Sequence, residues 1–578
     1  MTLTGAVPEN PETALEAAAS TAALAEQIRS DDTSIVRATG VLALGNIASR
    51  VMGLARETLL SDLFGAGAAV SAFNIAVIVP RTLYDLLIGG HVNSALIPVL
   101  SEYAMQQDRR ALWRLVNLLL GIVVVVLAAL VLALEVFAPQ VIWLVSGGAA
   151  VGLPAVSIEA LHGLSPAPIL MQFAGSALTA MQVIAIELLR ITAPALMFLS
   201  LFAVLSGLLY ALRRFSLPAF AGVLFNGGIV VVTLLAAPTL GITAMALGWL
   251  IGALVQVLAQ LIGLRDARLW PTLRGVLREP GVRRIGKLYL PVMFSLVIDT
   301  LVIRLVSYNL ASQTGEASIS YMNFATTLIQ FPQGLVATAI SLAILPTLSR
   351  QATLIAGQGF APYKETLGRG LRLAIVLIIP ATVGLFVLAA PVVGLIFEHG
   401  AFMADDTAVT SLALQLYLVG LPFAAVDLLL VFAFYSQQDT LTPAIIGVIS
   451  LTAYMLIALG LMPAYGLFSL MIADSVKHML HAGISLWLLG RRIGGLGGQA
   501  LPLTVLKAGA AAFLMGGLTL LAARGIAGLV PQEQFIGEVL LVLGAGGAGV
   551  LAYLLLAAAL RIDELYWLLN MLRARLGR

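Results

Sequence analysis

Arg50, Arg56 and Glu57 lie close together near the start of the chain, in a stretch otherwise apolar enough to cross a membrane. A charged side chain at the centre of a membrane helix costs about 3 kcal/mol on insertion scales, so it normally faces a bundle interior or a watery cavity. Cations kept at such a place are typical of a protein that holds or moves an anion. These three residues therefore predict an anion site inside a membrane protein.

The spacing of these residues leaves two interpretations of their role open. At about 100° per residue, Glu57 returns to the helix face of Arg50, while Arg56 lies about 120° away. In the functional interpretation, Arg50 and Arg56 form a cationic pocket and Glu57 supports them. In the structural interpretation, either arginine extends to the membrane surface, or one pairs with Glu57 to stabilise packing.

A second set of charged residues forms one stripe in a later apolar segment. Asp474, Lys477, His478 and His481 are spaced i, i+3, i+4 and i+7. Histidine titrates near neutral pH, so Asp474 and His478 are candidates for a proton-coupling relay. The alternative is polar contact between helices, with an Asp–Lys pair. Asp427 is a lone carboxylate in another apolar segment, and it is expected to be hydrogen-bonded within its own half of the protein.

Composition sets the class of protein. Of the 578 residues, 60% are hydrophobic and 11% are charged, and the mean hydropathy is +1.01. Soluble domains carry about 25% charged residues, so the sequence predicts an all-α polytopic membrane protein. Without cysteine, disulfides, iron–sulfur clusters and thiolate zinc sites are excluded. Catalytic motifs and a P-loop are absent, so we expect a transporter that does not use ATP directly and is not an enzyme.

Apolar stretches of about 20 residues recur from residue 36 onward, and each is long enough to cross a membrane. Two of them, the second and the eighth, contain Pro80 and Pro332, so broken or tilted helices are predicted there. The fourteen predicted spans are 38–61, 70–100, 112–138, 188–212, 218–237, 241–264, 287–311, 317–347, 370–397, 407–435, 442–463, 466–490, 502–523 and 535–560.

Basic residues are concentrated in every second loop of this arrangement, whereas the intervening loops are mainly acidic. By the positive-inside rule, both termini are predicted to lie in the cytoplasm. A basic surface that alternates with the spans reflects topology, so nucleic acid is rejected as a partner. The basic loop positions are Arg109, Arg110, Arg213, Arg214, 265–287, 350–372, Arg491, Arg492 and the tail that ends at Arg578.

An internal repeat relates the two halves of the chain. The segment 214–219 resembles 439–444, and 97–101 resembles 345–349. The offset between the halves differs for these two matches, which places extra residues of the first half in 145–187. With six helices in each half, the repeats have the same orientation, as in transporters with a site between two bundles.

The sequence thus predicts a chain of five parts with one additional loop. These are a disordered cytoplasmic tail (1–35), an N-terminal six-helix lobe (36–264) that contains the extra loop (145–187), a basic cytoplasmic linker (265–287), a C-terminal six-helix lobe (288–492), and two further helices with a basic tail (493–578).

Several motifs of the chain resemble the MurJ (MviN) lipid II flippase family of the multidrug, oligosaccharidyl-lipid and polysaccharide exporter superfamily. The resemblance implies a fourteen-helix transporter of the bacterial cytoplasmic membrane. It implies that undecaprenyl-diphosphate-linked peptidoglycan precursor is carried to the outer leaflet by alternating access. The matching positions are Ser49, Arg50, Gly53, Arg56, Glu57, 64–67, Pro98, 101–103, Phe331, Pro332, 345–349, 434–436 and Asp439.

The chain departs from the family at charged positions of the cavity. Ser71 and Gly89 stand where an acidic residue is usual, and Thr327 where an arginine is expected. Adjacent family arginines are replaced by Tyr84 and Asp85. The resemblance therefore leaves a polysaccharide-lipid or multidrug exporter, or a non-transporting envelope scaffold, as alternatives.

Arg81 and Arg304 are candidates to supply the family arginines that this chain lacks. Arg81 lies one turn from Tyr84, and it also has the i, i+4 spacing of a helical ion pair with Asp85. Either Arg81 binds substrate with Asp85 in support, or the two neutralise each other. Arg304 either binds substrate or neutralises Asp299.

Asp299 lies in a stretch that resembles a family segment which contributes to a sodium site in some members. A carboxylate with hydroxyl and carbonyl neighbours suits such a hard cation. We therefore expect no cofactor except a coupling cation, either sodium or a proton. The expected partner is a polyprenyl-diphosphate-linked sugar lipid, and the expected protein is a monomer surrounded by membrane lipid.

Overall fold

The structure is a computed structural model that describes residues 40–42, 44–87, 96, 99–104, 109–147, 178–212, 214–276, 278–287, 303–530 and 535–567. No β-strand occurs within these ranges, which confirms the all-α fold class. The principal helices are α1 (44–64), α2 (Ala68–Leu87), α3 (Arg109–Val136), α4 (Ala138–Ser146), α5 (Ala180–Thr192), α6 (Ala195–Ala211), α7 (Ser216–Leu240), α8 (Thr243–Gly263), α9 (Ile303–Ser312), α10 (Ser318–Pro332), α11 (Ala339–Thr353), α12 (Ala361–Val387), α13 (Ala389–Phe397), α14 (Ala404–Ser436), α15 (Leu441–Tyr465), α16 (Phe468–Ile493), α17 (Leu501–Leu529) and α18 (Phe535–Ala559).

The described residues contain ten helices long and apolar enough to cross a membrane, or eleven if the bent pair α5–α6 is one span. The chain is therefore a polytopic membrane protein. The number of fourteen spans stays a prediction. Of the remaining predicted spans, α1 and α16 carry several charged side chains, and α9 is described over ten residues only.

Two prolines act differently on their helices. After Pro332, a π-helical segment (Gln333–Thr338) joins α10 to α11, so the eighth span is irregular there but continues as one helix over Ser318–Thr353 rather than breaking. In contrast, α2 remains helical through Pro80 up to Leu87.

The predicted extra loop 145–187 is too long at its C-terminal end. The helix α5 begins at Ala180, because Thr179 and Gln182 cap it reciprocally through bonds of 3.2 and 3.0 Å. The chain then bends by 40° before α6. Residues 148–177 of the predicted loop, the tail 1–35 and much of the predicted span 287–311 lie outside the described residues.

The helices of the first half pack mainly among themselves, with α7 against α8, α6 against α8, and α2 against α5. In the second half, α16 packs against α14 and α15, and α12 against α14. Finally, α17 and α18 pair with each other, and α17 lies along α12. The two halves meet along α2–α10 and α4–α9. The exact lobe boundaries stay a prediction.

At one end of the bundle, the halves touch closely. The Ala401 N–H donates to the Asp62 carbonyl oxygen at 2.8 Å, which joins the loop after α1 to the loop before α14. Gly65 and Gly400 have φ values of 66° and 55°, and added Cβ atoms would come within 2.6 Å of Ala401 O and 2.2 Å of Asp62 O. Glycine is therefore required at both positions for this contact.

Candidate functional site

A cavity of about 480 Å³ lies between α1, α2, α7 and α8 of the first half and α9 and α10 of the second half. Five of the charged residues selected from the sequence border it: Arg50, Arg56, Glu57, Arg81 and Asp85. The lining residues are Asn46, Ser49, Arg50, Gly53, Leu54, Arg56, Glu57, Phe73, Asn74, Val77, Ile78, Arg81, Tyr84, Asp85, Leu199, Gly222, Phe225, Asn226, Trp249, Gln256, Tyr308, Asn323, Thr326, Thr327, Gln330 and Phe331.

Arg50 connects the two halves across this cavity. Its Nη1 donates to the Gln330 carbonyl oxygen at 2.9 Å. The guanidinium also lies against Gly334 of the π-helical segment, where an added Cβ would come within 2.2 Å of Arg50 Nη2. Within the described part of the chain, Arg50 Nε is buried without a hydrogen-bond partner. Arg50 thus ties α1 to the π-helical segment of the opposite half and keeps unused donor capacity.

Arg56 is held firmly in place by its neighbours. Its Nη2 pairs with Glu57, and its Nη1 donates to Asn226 Oδ1 at 3.0 Å. The guanidinium lies 5.7 Å from the ring centroid of Trp249, in range of a cation–π contact. Only 15% of the Arg56 side chain is exposed. Glu57 therefore pairs with Arg56 rather than with Arg50, whose helix face it shares.

Arg81 differs from the other cavity arginines because, in the described part of the chain, it has neither a hydrogen-bond partner nor an ion-pair partner. It is exposed, and it has no hydrogen-bond or ion-pair partner among the residues that the structure describes. The i, i+4 pair with Asp85 is not formed, although the two charges are close enough to interact electrostatically. Arg81 is therefore available to bind an anion that enters the cavity.

Asp85 instead pairs with Arg304 of the opposite half. Asp85 Oδ2 and Arg304 Nη1 are 2.5 Å apart, and 31% and 37% of the two side chains are exposed. The pair joins α2 to α9 across the cavity. Asp299, the other predicted partner of Arg304, lies outside the described residues. One turn after Arg304, the Tyr308 hydroxyl donates to Asn323 Oδ1 at 3.0 Å.

The charges around the cavity do not cancel. Three guanidinium groups (Arg50, Arg56 and Arg81) and two carboxylates (Glu57 and Asp85) line the cavity, and Arg304 pairs with Asp85, so two positive charges remain. In a site with low effective dielectric, such an excess attracts anions strongly. A ligand with two negative charges, such as a diphosphate diester, would balance it, and the arginine geometry suits phosphate oxygens.

The Asp474 stripe lies away from the cavity lining, between helices of the second half. Lys477 pairs with Asp474, and His478 Nε2 is 3.7 Å from Asp474 Oδ2. Asp427 on α14 is 2.5 Å from His481 Nδ1. The sequence pattern identified the stripe and placed Asp427 within its half, but it did not reveal that Asp427 and His481 are partners.

Sequence reasoning also missed three uncharged cavity residues. Asn226 orients Arg56, Trp249 lies beside it, and Gln330 accepts the hydrogen bond from Arg50. The sequence could have indicated Asn226 as a cavity residue, because it is a polar residue within an apolar span. Gln330 binds through its backbone carbonyl, which no side-chain pattern can reveal.

Comparison with known proteins assigns this architecture to a family. The family model described as Lipid II flippase MurJ matches residues 60–536. The Lipid II flippase MurJ of Burkholderia cenocepacia is 31% identical over 408 residues, which cover 70% of this chain and 73% of that protein. The Probable lipid II flippase MurJ of Haemophilus influenzae is 30% identical over 448 residues, 75% of this chain and 82% of the relative.

Solved structures show the same fold. A lipid II flippase MurJ in an inward closed conformation superposes with a TM-score of 0.69 at 21% identity, over 90% of this chain and 99% of that one. An inward-facing multidrug resistance MATE family transporter of the MOP superfamily gives 0.59 at 15% identity, over 78% and 95% of the two chains. Arg81 and Arg304 lie within the region that the family model matches, whereas Arg50 and Arg56 precede it.

Proposed function

The chain belongs to the MurJ family of lipid II flippases, and from this membership we propose that it carries lipid II across a bacterial cytoplasmic membrane. The substrate is the undecaprenyl-diphosphate-linked peptidoglycan precursor, which moves from the inner to the outer leaflet. The observation that carries the proposal is the cavity between the two halves, with two uncompensated positive charges and an unpaired Arg81.

The diphosphate binds where the excess positive charge lies. Arg81 meets it first, since this guanidinium breaks no existing pair to do so. Arg50 and Arg56 complete the pocket, and Glu57 keeps Arg56 in its orientation. The sugar and peptide of the headgroup face the polar lining, while the lipid tail stays in the bilayer, along a groove beside α17 and α18.

Transport follows from alternate breaking of two sets of contacts. On one side of the site, Asp85–Arg304 and Arg50–Gln330 join the halves across the cavity. At the other end, the Asp62–Ala401 contact and the 2.9 Å Ser71–Ser320 hydrogen bond close the bundle. A dianion competes with Asp85 for Arg304, so its binding weakens the first set and changes the relative populations of the two states.

The driving force and orientation are part of the same proposal. We place both termini in the cytoplasm, which puts the closed Gly65–Gly400 end at the outer surface. Transport is of the secondary type and draws on a coupling cation, either sodium or a proton, with Asp299 as the candidate sodium ligand. The protein acts as a monomer in this scheme.

A different diphosphate-linked saccharide is the second candidate substrate. Thr327 lines the cavity where the resemblance predicts an arginine, so the surroundings of the headgroup differ from the family pattern. A drug cation is a poor fit for the same cavity, because three arginines and two carboxylates line it and Arg304 already neutralises Asp85. An envelope scaffold without transport would not require Arg81 to stay unpaired.

Rescue of cells depleted of their own lipid II flippase tests the proposal. We expect the wild-type chain and the control Arg114→Gln, an exposed arginine of α3 away from the cavity, to restore growth. Arg81→Gln should fail at equal membrane abundance. Absence of rescue by abundant wild-type protein would contradict lipid II as the substrate.

A further inference from the structure

We propose that Asp427, Asp474, Lys477, His478 and His481, here called the α16 cluster, bind the proton that is coupled to transport. The inference rests on the proposed function and names the coupling ion and its site. The cluster joins α14 and α16 within the second half, and none of its members lines the central cavity.

The geometry of the cluster is that of two linked acid–base pairs. His481 Nδ1 is 2.5 Å from Asp427 Oδ1 and 3.3 Å from the Ser485 hydroxyl. Asp474 holds Lys477 on one carboxylate oxygen and lies 3.7 Å from His478 on the other. His478 interacts electrostatically with both carboxylates, which makes it the connection between the pairs. All five side chains are at least about three-quarters buried, with 14–28% of each exposed.

One added proton would neutralise the net charge of the cluster. With both imidazoles neutral, two carboxylates face one ammonium group, so the cluster carries a net charge of −1. A net charge inside a membrane protein is costly, and uptake of one proton removes it. The proton comes from water and resides on an imidazole, so that Asp427 or Asp474 becomes the counter-ion of an imidazolium.

The helices packed against α16 supply few competing charges. On α14 the facing groups are Asp427 and the hydroxyl of Tyr417, and on α15 the Tyr454 ring lies 5.7 Å from Lys477 Nζ. On α9 the neighbouring groups are Ser307 and Tyr308. Within the described ranges, no second fixed cation neutralises the cluster.

A proton fits this site better than a metal ion. The described residues contain no group of three or more histidine, aspartate or glutamate side chains placed to hold a metal. Lys477 already occupies one face of Asp474, and an ammonium group would repel an incoming metal cation. An imidazole, in contrast, can take up and release a proton, as a proton carrier requires.

A continuous set of contacts connects the cluster to the cavity. Lys477 lies over the Tyr454 ring, and the Tyr454 hydroxyl donates to Ser307 Oγ at 3.0 Å. Ser307 is one turn from Arg304, which pairs with Asp85 across the cavity. A proton on His481, beside Asp427, adds positive charge to the cluster and repels Lys477 towards Tyr454. The proton thereby acts on α9, the same helix whose Arg304 must separate from Asp85 when substrate binds.

Flipping of fluorescently labelled lipid II by the full chain in phosphatidylethanolamine–phosphatidylglycerol vesicles tests this inference. A gradient of about two pH units changes the equilibrium of a one-proton step by about 100-fold. We expect the wild-type rate to depend on the direction of the gradient, and a dye enclosed in the vesicles to report proton movement with flipping. By linkage, substrate must also change the affinity of the cluster for protons.

The informative variants are His481→Gln and Asp427→Asn, with His399→Gln as the matched control. His399 bonds to the Leu395 carbonyl oxygen, away from the cluster. The two cluster variants should keep basal flipping but lose its dependence on the gradient, whereas His399→Gln should behave as wild type.

Flipping that ignores the pH gradient, follows a sodium gradient instead, or keeps its pH dependence in both cluster variants overturns the inference and leaves the proposed function intact. Absence of any flipping by the wild type overturns the proposed function, and the inference with it.

Discussion

Asp85 on α2 pairs with Arg304 on α9 across the cavity, although Arg81 lies only one helical turn away from Asp85 on the same helix. The carboxylate therefore holds an arginine of the opposite half and leaves its own neighbour unpaired. In the proposed mechanism, an anionic headgroup competes with Asp85 for Arg304. On that proposal, the competition would join substrate binding to the opening of the cavity.

Asp85→Asn should loosen the contact between the halves on this side. Loss of a partly exposed ion pair weakens the contact between the halves by about 1 kcal/mol. This changes the ratio of open to closed forms roughly fivefold. The chain has no cysteine, so spin labels can be attached at introduced cysteines alone. Labels at the exposed positions Val51 and Leu335 should report a longer mean distance in Asp85→Asn than in wild type. Unchanged distances would show that the pair does not hold the halves together.

Gly400→Ala should open the opposite end of the bundle. An added Cβ would come within 2.2 Å of the Asp62 carbonyl oxygen, so the loops must separate. The suitable control is Gly359→Ala, since Gly359 also has a positive φ of 67° but has nothing within 4 Å of its Cβ position. A cysteine at the exposed position Met403 should react faster with a membrane-impermeant reagent in Gly400→Ala only. Equal rates in both variants would contradict a closed contact at this end.

Asp439 gives a prediction on stability and pH. Burial by itself would raise the pKa of this carboxyl, but hydrogen bonds from the Thr442 amide, the Thr442 hydroxyl and Arg492 outweigh it and lower the pKa below 3.8. Because the folded-state pKa is the lower one, the stabilisation is present above the unfolded pKa and is lost as the pH falls through the folded pKa.

We therefore expect Asp439→Asn to lower the thermal unfolding temperature at neutral pH by a few degrees. The difference from wild type should stay constant down to about pH 5 and shrink below about pH 4. Asp405→Asn, at an exposed carboxylate of α14, is the control and should have little effect. A difference between Asp439→Asn and wild type that does not change with pH would rule out an electrostatic origin.

Asp439 also belongs to an ion pair that recurs at the matching position of the internal repeat. Asp439 matches Arg214 in the repeat, and Arg214 binds Asp266 through bonds of 2.8 and 3.0 Å, whereas Asp439 binds Arg492 at 2.6 Å. Both halves thus have an ion pair at the matching position, with opposite polarity. A comparison of residue letters finds the position, but only the structure reveals that the pairing itself is repeated.

Other features were readable from the sequence because they depend on a single helix. The irregular π-helical segment after Pro332 and the stripe that contains Asp474 and His478 follow from residue type and from the helical period. The start of α5 was also readable, since Thr179 and Gln182 have the spacing of a capping box.

Partners on different helices could not be predicted, because the period of one helix does not determine which face meets another helix. Asp85–Arg304 and Asp427–His481 both depend on how α2 meets α9 and how α14 meets α16. The i, i+4 rule suggested Arg81 for Asp85, but the arginine across the cavity is the partner in the structure.

The most direct measurement of the central claim is the rate at which vesicles that contain the purified full chain flip labelled lipid II. Wild-type protein and Arg114→Gln should flip the lipid at similar rates. Arg81→Gln should reduce the rate at least about tenfold, because the unpaired cation that receives the diphosphate is gone. Flipping by Arg81→Gln at the wild-type rate would contradict the account, since the cavity would then not be the path of the headgroup.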